Sequence, residues 1–238
     1  MAIEMKTALI TGGSKGIGYG IAEALIKKSV KVMITSRNQK EAEEAAARLN
    51  KLGGADVIGI QADARDKVSM QGAVKTLLEK WGQLDILIAN AGVGLFGSIE
   101  TLTHEQWNDT IDTNLTGVFN SVKASLDSII KSKGYIITIS SLAGTNFFAG
   151  GSAYNASKFG LTGFTQSIML DLRKHGVKVS TIMPGSVATY FNNHTPSASD
   201  NWKIQIEDIG QLVVDLLEMN PRTLPSKVEV RPSMPPGA

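Results

Sequence analysis

The chain has 238 residues, 42% hydrophobic and 19% charged, with a formal net charge of +2. That composition excludes a disordered chain, and so even a charge balance gives no argument for a nucleic-acid partner. There is no cysteine, which excludes disulfides, thiolate nucleophiles and Cys-ligated metal, and the three histidines, His104, His175 and His194, lack metal-ligand spacing, so no metal is expected.

The opening MAIEMKTALITGG carries only a short apolar stretch that runs into glycines, unlike a signal peptide, and no apolar run reaches membrane-spanning length. The expectation is a cytoplasmic protein without a membrane partner. An α/β architecture routinely uses this length as one unit, and no linker or repeat divides residues 1–238.

The first predicted strand is Thr7–Thr11, followed directly by Gly12-Gly13-Ser14-Lys15-Gly16-Ile17-Gly18 and a predicted helix over Ile17–Lys28. Glycines between a strand and a helix allow a tight turn, backbone approach to a pyrophosphate and close helix–strand packing. The helix start then offers free N–H groups and a positive dipole end to phosphate.

The second strand, Val30–Thr35, runs into Ser36-Arg37-Asn38-Gln39. An NAD site uses an acid about twenty residues beyond the glycine loop for the ribose 2′-hydroxyl. None stands in that stretch, whereas Arg37 can grip a 2′-phosphate and Lys15 adds a second charge, so the cofactor expected is NADP(H). The helix over Gln39–Leu52 pairs Glu44 with Arg48 at i,i+4 and reads as an ordinary outer helix.

Further along, strands are predicted at Val57–Gln61, Leu84–Ala89, Tyr135–Ser140, Val177–Met183 and Lys227–Val230, with helices at Asp66–Trp81, His104–Lys131, Tyr154–Lys174 and Ile206–Met219. This alternation predicts a doubly wound parallel sheet of about seven strands with helices on both faces, as βαβ crossovers require. The stretch 190–205 is polar and rich in Ser, Asn and Pro, which suggests a mobile substrate lid, and 231–238 is too rich in Pro and Gly for regular structure.

Tyr154 and Lys158 stand four residues apart on one face of a predicted helix. A free phenol, with a pKa near 10, is a poor proton donor at neutral pH. An ammonium about 4 Å away at an effective dielectric of about 20 is worth on the order of 4 kcal/mol. Half of that would lower the phenol pKa by roughly 1.5 units.

With TGGSKGIG at 11–18, Asp63 after the third strand, NAG at 90–92, Asn114 in DTNLTG, Ser141 in TISSLAG, Tyr154 with Lys158, and PGSVAT at 184–189 in this order, the chain resembles the short-chain dehydrogenase/reductase family over essentially its whole length. The resemblance implies a cofactor lying across the strand C-termini. Asp63 and Ala64 would face its adenine, Asn90, Ala91 and Gly92 would lie beside it, and Pro184, Gly185, Val187 and Thr189 would hold the nicotinamide end. Arg37 and Asn38 fall at the ribose phosphate.

It further implies that Tyr154 is the acid/base and that Lys158 also binds the ribose hydroxyls. Ser141 would bond the substrate oxygen, and Asn114 would break its helix locally and hold a water that links Lys158 to solvent. Ala89 departs from the second Asn that many members carry.

Val93, Leu95, Phe96, Phe147, Phe148, Tyr190 and Phe191 suggest an apolar pocket for a small ketone or aldehyde and its alcohol. The C-terminal run lacks the glycine-rich last strand of many 3-oxoacyl-carrier-protein reductases. A general carbonyl reductase therefore ranks ahead of a thioester reductase, with a non-catalytic NADPH-binding regulator as the rival from another class. The resemblance also implies a homo-oligomer, a tetramer or else a dimer, built on the two long helices, where Ala153, Ala156, Gly160 and Gly163 permit close approach.

Overall fold

Seven aliphatic and β-branched runs become strands in the computed structural model, which describes residue 3 and residues 5–234. They are β1 (Thr7–Ile10), β2 (Lys31–Ser36), β3 (Val57–Gln61), β4 (Ile86–Ala89), β5 (Tyr135–Ile139), β6 (Lys178–Pro184) and β7 (Lys227–Val230). All pair in parallel, in the order β3-β2-β1-β4-β5-β6-β7, as the alternation of runs predicts. The order reverses between β1 and β4, and the C-terminal ends of those strands open the crevice where such sheets take ligands.

The helices are α1 (Gly16–Ile26), α2 (Gln39–Lys51), α3 (Lys67–Trp81), α4 (His104–Ile111), α5 (Gly117–Ser132), α6 (Ser152–Leu172) and α7 (Ile206–Glu218). Strand side chains alternate between two cores because successive Cβ atoms point to opposite faces. Ala8, Ile10, Ile86 and Ile88 meet Ile21, Leu25, Leu49, Ile209 and Val213 of α1, α2 and α7. Leu9, Leu87 and Ile136 meet Met70, Leu77, Ile129 and Leu161 of α3, α5 and α6. α1 and α7 touch backbone to backbone: a Cβ on Gly20 would stand 2.5 Å from the Ile206 carbonyl oxygen, and one on Gly210 would stand 2.6 Å from that of Gly20.

The helix predicted over His104–Lys131 is interrupted. A π-helical turn at Asp112–Thr116 separates α4 from α5 and inserts an extra residue at Asn114. The expected irregular tail at 231–238 lies partly outside the described residues; 231–234 hold neither strand nor helix.

Candidate active site

The glycine loop leaves β1 and turns into α1 with Gly12 at φ 64° and Gly16 at φ 60°, a left-handed conformation that favours glycine. Gly18 is fixed by space: a Cβ there would stand 2.5 Å from the Gly12 oxygen and 2.6 Å from the Asn90 amide nitrogen. Asn90, at the end of β4, turns that amide inward and donates to the Thr11 and Gly12 carbonyls at 2.9 Å each. The Asn90 and Ala91 backbone N–H groups in turn donate to Thr11 Oγ1. Thr11, absent from the sequence-derived site, thus ties the β4 loop to the glycine loop. Lys15 precedes α1 without capping it by a side-chain bond, and Ser14 is buried.

Arg37 is exposed at the end of β2, and Asn38 caps α2 by accepting from the Glu41 N–H at 3.3 Å. An acid does stand at this corner, two residues past the stretch that reads as acid-free: Glu41 places its carboxylate 3.2 Å from Ser36 Oγ. The expected Glu44–Arg48 pair does not form; Glu44 meets Lys40 at 3.9 Å, while the Arg48 guanidinium reaches the glycine loop. Asp63, at the end of β3, is gripped by Arg65, which also bridges Asp109. That hydrogen-bonded pairing with Arg65 holds the Asp63 carboxyl below the usual carboxylate range. Neither Arg65 nor its bridging position is marked by sequence spacing. Ala64 lies against Gly117 at the start of α5.

Four groups converge beyond β5. Tyr154 is 8% exposed and Lys158 5%, and the Lys158 ammonium lies over the Tyr154 ring, 5.7 Å from its centroid. Its hydrogen bond goes to the Ile139 carbonyl at 3.0 Å. Full burial pushes the Lys158 pKa down to about 8. Burial also raises the phenol above its ordinary range, and the Ser141 hydroxyl beside it opposes that rise. The expected lowering of the phenol by Lys158 is therefore not the dominant effect: desolvation outweighs an ammonium that sits over the ring face and is spent on a backbone carbonyl.

Ser141 caps the short turn Leu142–Gly144, accepting from the Ala143 N–H at 3.1 Å. Asn114, wholly buried in the π turn, clasps the Val93 backbone in both directions: its Oδ1 accepts from the N–H at 2.8 Å and its Nδ2 donates to the carbonyl at 2.9 Å. The same Nδ2 donates to Ser157 Oγ at 3.0 Å, and Ser157 donates to the Tyr154 carbonyl at 2.8 Å. Gly92 lies between Asn114 and Lys158; a Cβ there would be 3.2 Å from Asn114 Oδ1 and 3.7 Å from Lys158 Nζ. Two residues of this frame escaped the sequence reading. Ser157 is one, and Asn155 is the other: its Nδ2 donates to the Ala143 and Asn146 carbonyls at 2.8 Å each and so fixes the loop that follows Ser141. Both sit inside the Tyr-x₃-Lys segment, where only burial separates them from surface polars.

At the end of β6, Pro184 pairs with Val230 of β7 and the Gly185 N–H donates to the Val230 carbonyl at 2.8 Å. Val187 pairs with Ile204, and Thr189 arches over Gly16 and accepts from the Phe191 N–H at 3.3 Å. Phe191 then lies against Gly94, with its ring 5.7 Å from that of Tyr154 and 6.2 Å from that of Phe96. Phe96 stands 5.3 Å from Tyr154 and 5.7 Å from Phe148. Aromatic edges thus close over the phenol, while Phe147 points away and is 86% exposed.

The segment 190–205 is organised around buried Asp200, which meets Lys203 at 2.6 Å and His194 at 2.7 Å and accepts from the Ser197 N–H. These bonds, led by Lys203, hold the Asp200 carboxyl far below the usual range.

A crevice at the switch point of a parallel sheet, floored by a glycine loop and closed by the buried Tyr154–Lys158 pair beside a half-buried Ser141, defines a dinucleotide-type α/β enzyme. The short chain dehydrogenase family model matches residues 6–200, and the chain belongs to that family of oxidoreductases. It is 35% identical to a 3-oxoacyl-(acyl-carrier-protein) reductase of Salmonella typhimurium over 190 residues, 79% of this chain and 76% of that protein. Among solved structures, an alcohol dehydrogenase from the archaeon Thermococcus sibiricus complexed with 5-hydroxy-NADP superposes with a TM-score of 0.91 at 28% identity, covering 97% of each chain. A metagenomic short-chain oxidoreductase in complex with NADP gives 0.86 at 32% identity, covering 99% of this chain and 100% of that one.

Proposed function

We propose that the protein is an NADP(H)-dependent carbonyl reductase that interconverts a small apolar ketone or aldehyde with its alcohol. The observation that carries this reading is the packing of the Lys158 ammonium beneath the Tyr154 ring at the mouth of the glycine-loop crevice. The crevice suits a dinucleotide. Gly12 and Gly18 let the loop pack closely on Asn90 and Ala91, the first turn of α1 has free N–H groups for phosphate, and Lys15 and Arg37 make no ion pair among the described residues. Relatives complexed with NADP support the same choice. When bound, the cofactor would supply or accept the hydride.

The chain supplies the proton. Burial keeps the Tyr154 phenol protonated in the resting site, so it is ready to donate to a carbonyl oxygen gaining negative charge. Ser141 bonds that oxygen and stabilises the charge as it grows. Lys158 is buried too deeply to hold its charge cheaply, and a pKa of about 8 lets it pass a proton to the phenol and regain one near neutrality. Ribose hydroxyls at Lys158 would give its ammonium partners that replace the Ile139 carbonyl. Asn114 acts on position: it holds Val93 and, through Ser157, the backbone of Tyr154. Asp63 and Ala64 would face the adenine, Asn90, Ala91 and Gly92 would lie beside the cofactor, and Pro184, Gly185, Val187 and Thr189 would hold its nicotinamide end.

Phe96, Phe148 and Phe191 favour a carbonyl compound with an apolar substituent, because a charged group there would lose its hydration without gaining a partner. Likeness to a 3-oxoacyl reductase favours a second reading, in which the carbonyl belongs to an acyl thioester. Phe119 and Phe159, which are 47% and 43% exposed on α5 and α6, support pairing with another copy. Of the small residues expected there, Ala156 and Gly163 face outward, whereas Ala153 is buried and Gly160 lies against Leu115. Tyr154→Phe tests the core of the reading. Turnover is expected to fall about a thousandfold or more, with NADPH binding by fluorescence titration unchanged; near-normal turnover would overturn it.

A further inference from the structure

Arg48 lies three turns along α2, yet it touches the glycine loop. A long helical side chain leans toward the N-terminus of its own helix, which carries the guanidinium up to the corner between β1 and β2. Its Nη2 donates to the Ser14 carbonyl at 3.4 Å, and its Cζ stands 5.4 Å from the Tyr19 ring centroid on α1. Tyr19 is a shelf, and the planar fork suits both stacking and the carbonyl contact. Among the described residues no carboxylate lies within ion-pair distance of Arg48, Arg37 or Lys15.

The charge at this corner gives the arrangement its meaning. Asp63 is matched by Arg65, but Glu41 stands on Ser36 without a cationic partner among the described residues. Lys15 and Arg37 alone leave a surplus of one positive charge over Glu41; Arg48 raises it to two, the charge of a fully ionised phosphate monoester. Its bond to Ser14 also sets the residue that aims Lys15.

We infer that Arg48 is a positioning residue for the cofactor's 2′-phosphate: it braces Ser14–Lys15 from beneath and completes the cationic corner. This rests on the NADP(H) reading above and extends it to a helix outside the glycine loop and the β2 turn. A structural brace alone would support the whole loop and affect NADPH and NADH alike, whereas a phosphate role affects only the ligand that carries the phosphate.

The test is equilibrium titration of NADPH, NADH, 2′,5′-ADP and 5′-AMP against wild type, Arg48→Met, Tyr19→Leu and the control Lys51→Met. Arg48→Met is expected to weaken NADPH and 2′,5′-ADP about tenfold, roughly 1.4 kcal/mol, and to leave NADH and 5′-AMP within about twofold. Tyr19→Leu, which keeps the charge but removes the shelf, is expected to cost about threefold on the phosphate-bearing pair alone, and it carries the test if Arg48→Met does not fold. Lys51→Met should change nothing. Equal weakening of all four ligands, or of none, overturns the inference. A wild type that does not prefer NADPH overturns the NADP(H) reading itself.

Discussion

At the residue scale the proposed mechanism turns on Lys158, and its burial has a thermodynamic consequence. Its ordinary pKa of 10.5 applies to the unfolded chain, and in the fold it is pushed down to about 8. Below pH 8 both states carry the proton, and the fold bears the cost of a buried charge. Between 8 and 10.5 the unfolded state binds more protons, so this cost is released as pH rises. The displacement corresponds to a cost of the order of 3 kcal/mol at neutral pH. Lys158→Met is therefore expected to be more stable than wild type at pH 7, by urea unfolding, with the advantage shrinking as pH climbs from 8 toward 10. It should also be inactive, as expected where a strained site has been kept for function. A variant less stable than wild type at pH 7, or an advantage that grows with pH, would contradict the assignment of Lys158 as a buried, desolvated base. The same residues show what sequence can carry. Tyr154, Lys158, Ser141 and Asn114 announce themselves by type and order, but the direction of the phenol's shift does not, because it depends on Phe96 and Phe191 closing over the ring. Those contacts exist only once the chain has folded.

At the scale of elements, the position of α1 decides where the glycine loop lies, and α1 is set by its crossing with α7. That crossing admits no side chain at Gly20 or Gly210. Gly210→Val would place carbon 2.6 Å from the Gly20 oxygen and force the helices apart. Overpacking of this kind costs typically about 1–3 kcal/mol, and the displaced α1 should also weaken NADPH binding. Thermal unfolding and cofactor titration on one sample check both; a variant unchanged in each would show that the contact is not needed to place the loop. The strand runs and helix periods were legible because each is a local pattern, and strand edges moved by no more than a residue or two, as at β4, which starts at Ile86 rather than Leu84. What stayed hidden was longer in range. The resemblance points to a local break at Asn114, where the π turn lies, but no 3.6-residue period reports that Asn114 reaches Val93 across the loop. Arg48 was hidden for a similar reason: Glu44 four residues earlier is a ready local partner, whereas Tyr19 and Ser14 become neighbours only through the β1–α1–β2–α2 crossover.

At the scale of the whole molecule, one sheet brings six separated segments to a single crevice: the glycine loop, the end of β2, the end of β3, the β4 loop, the β5 loop with α6, and the stretch after β6. No helix among the described residues is long and apolar enough to cross a membrane. The central claim is that this crevice moves a hydride to carbon while Tyr154 moves a proton to oxygen. It is tested most directly by reducing an apolar aryl ketone, and in parallel an acetoacetyl thioester, with NADPH deuterated at C4 on each face in turn. One of the two labelled cofactors is expected to give an alcohol carrying a single deuterium on the carbinol carbon, and Tyr154→Phe almost none. Cofactor that binds tightly but is not oxidised by any carbonyl offered, or alcohol formed without label from either face, would contradict it.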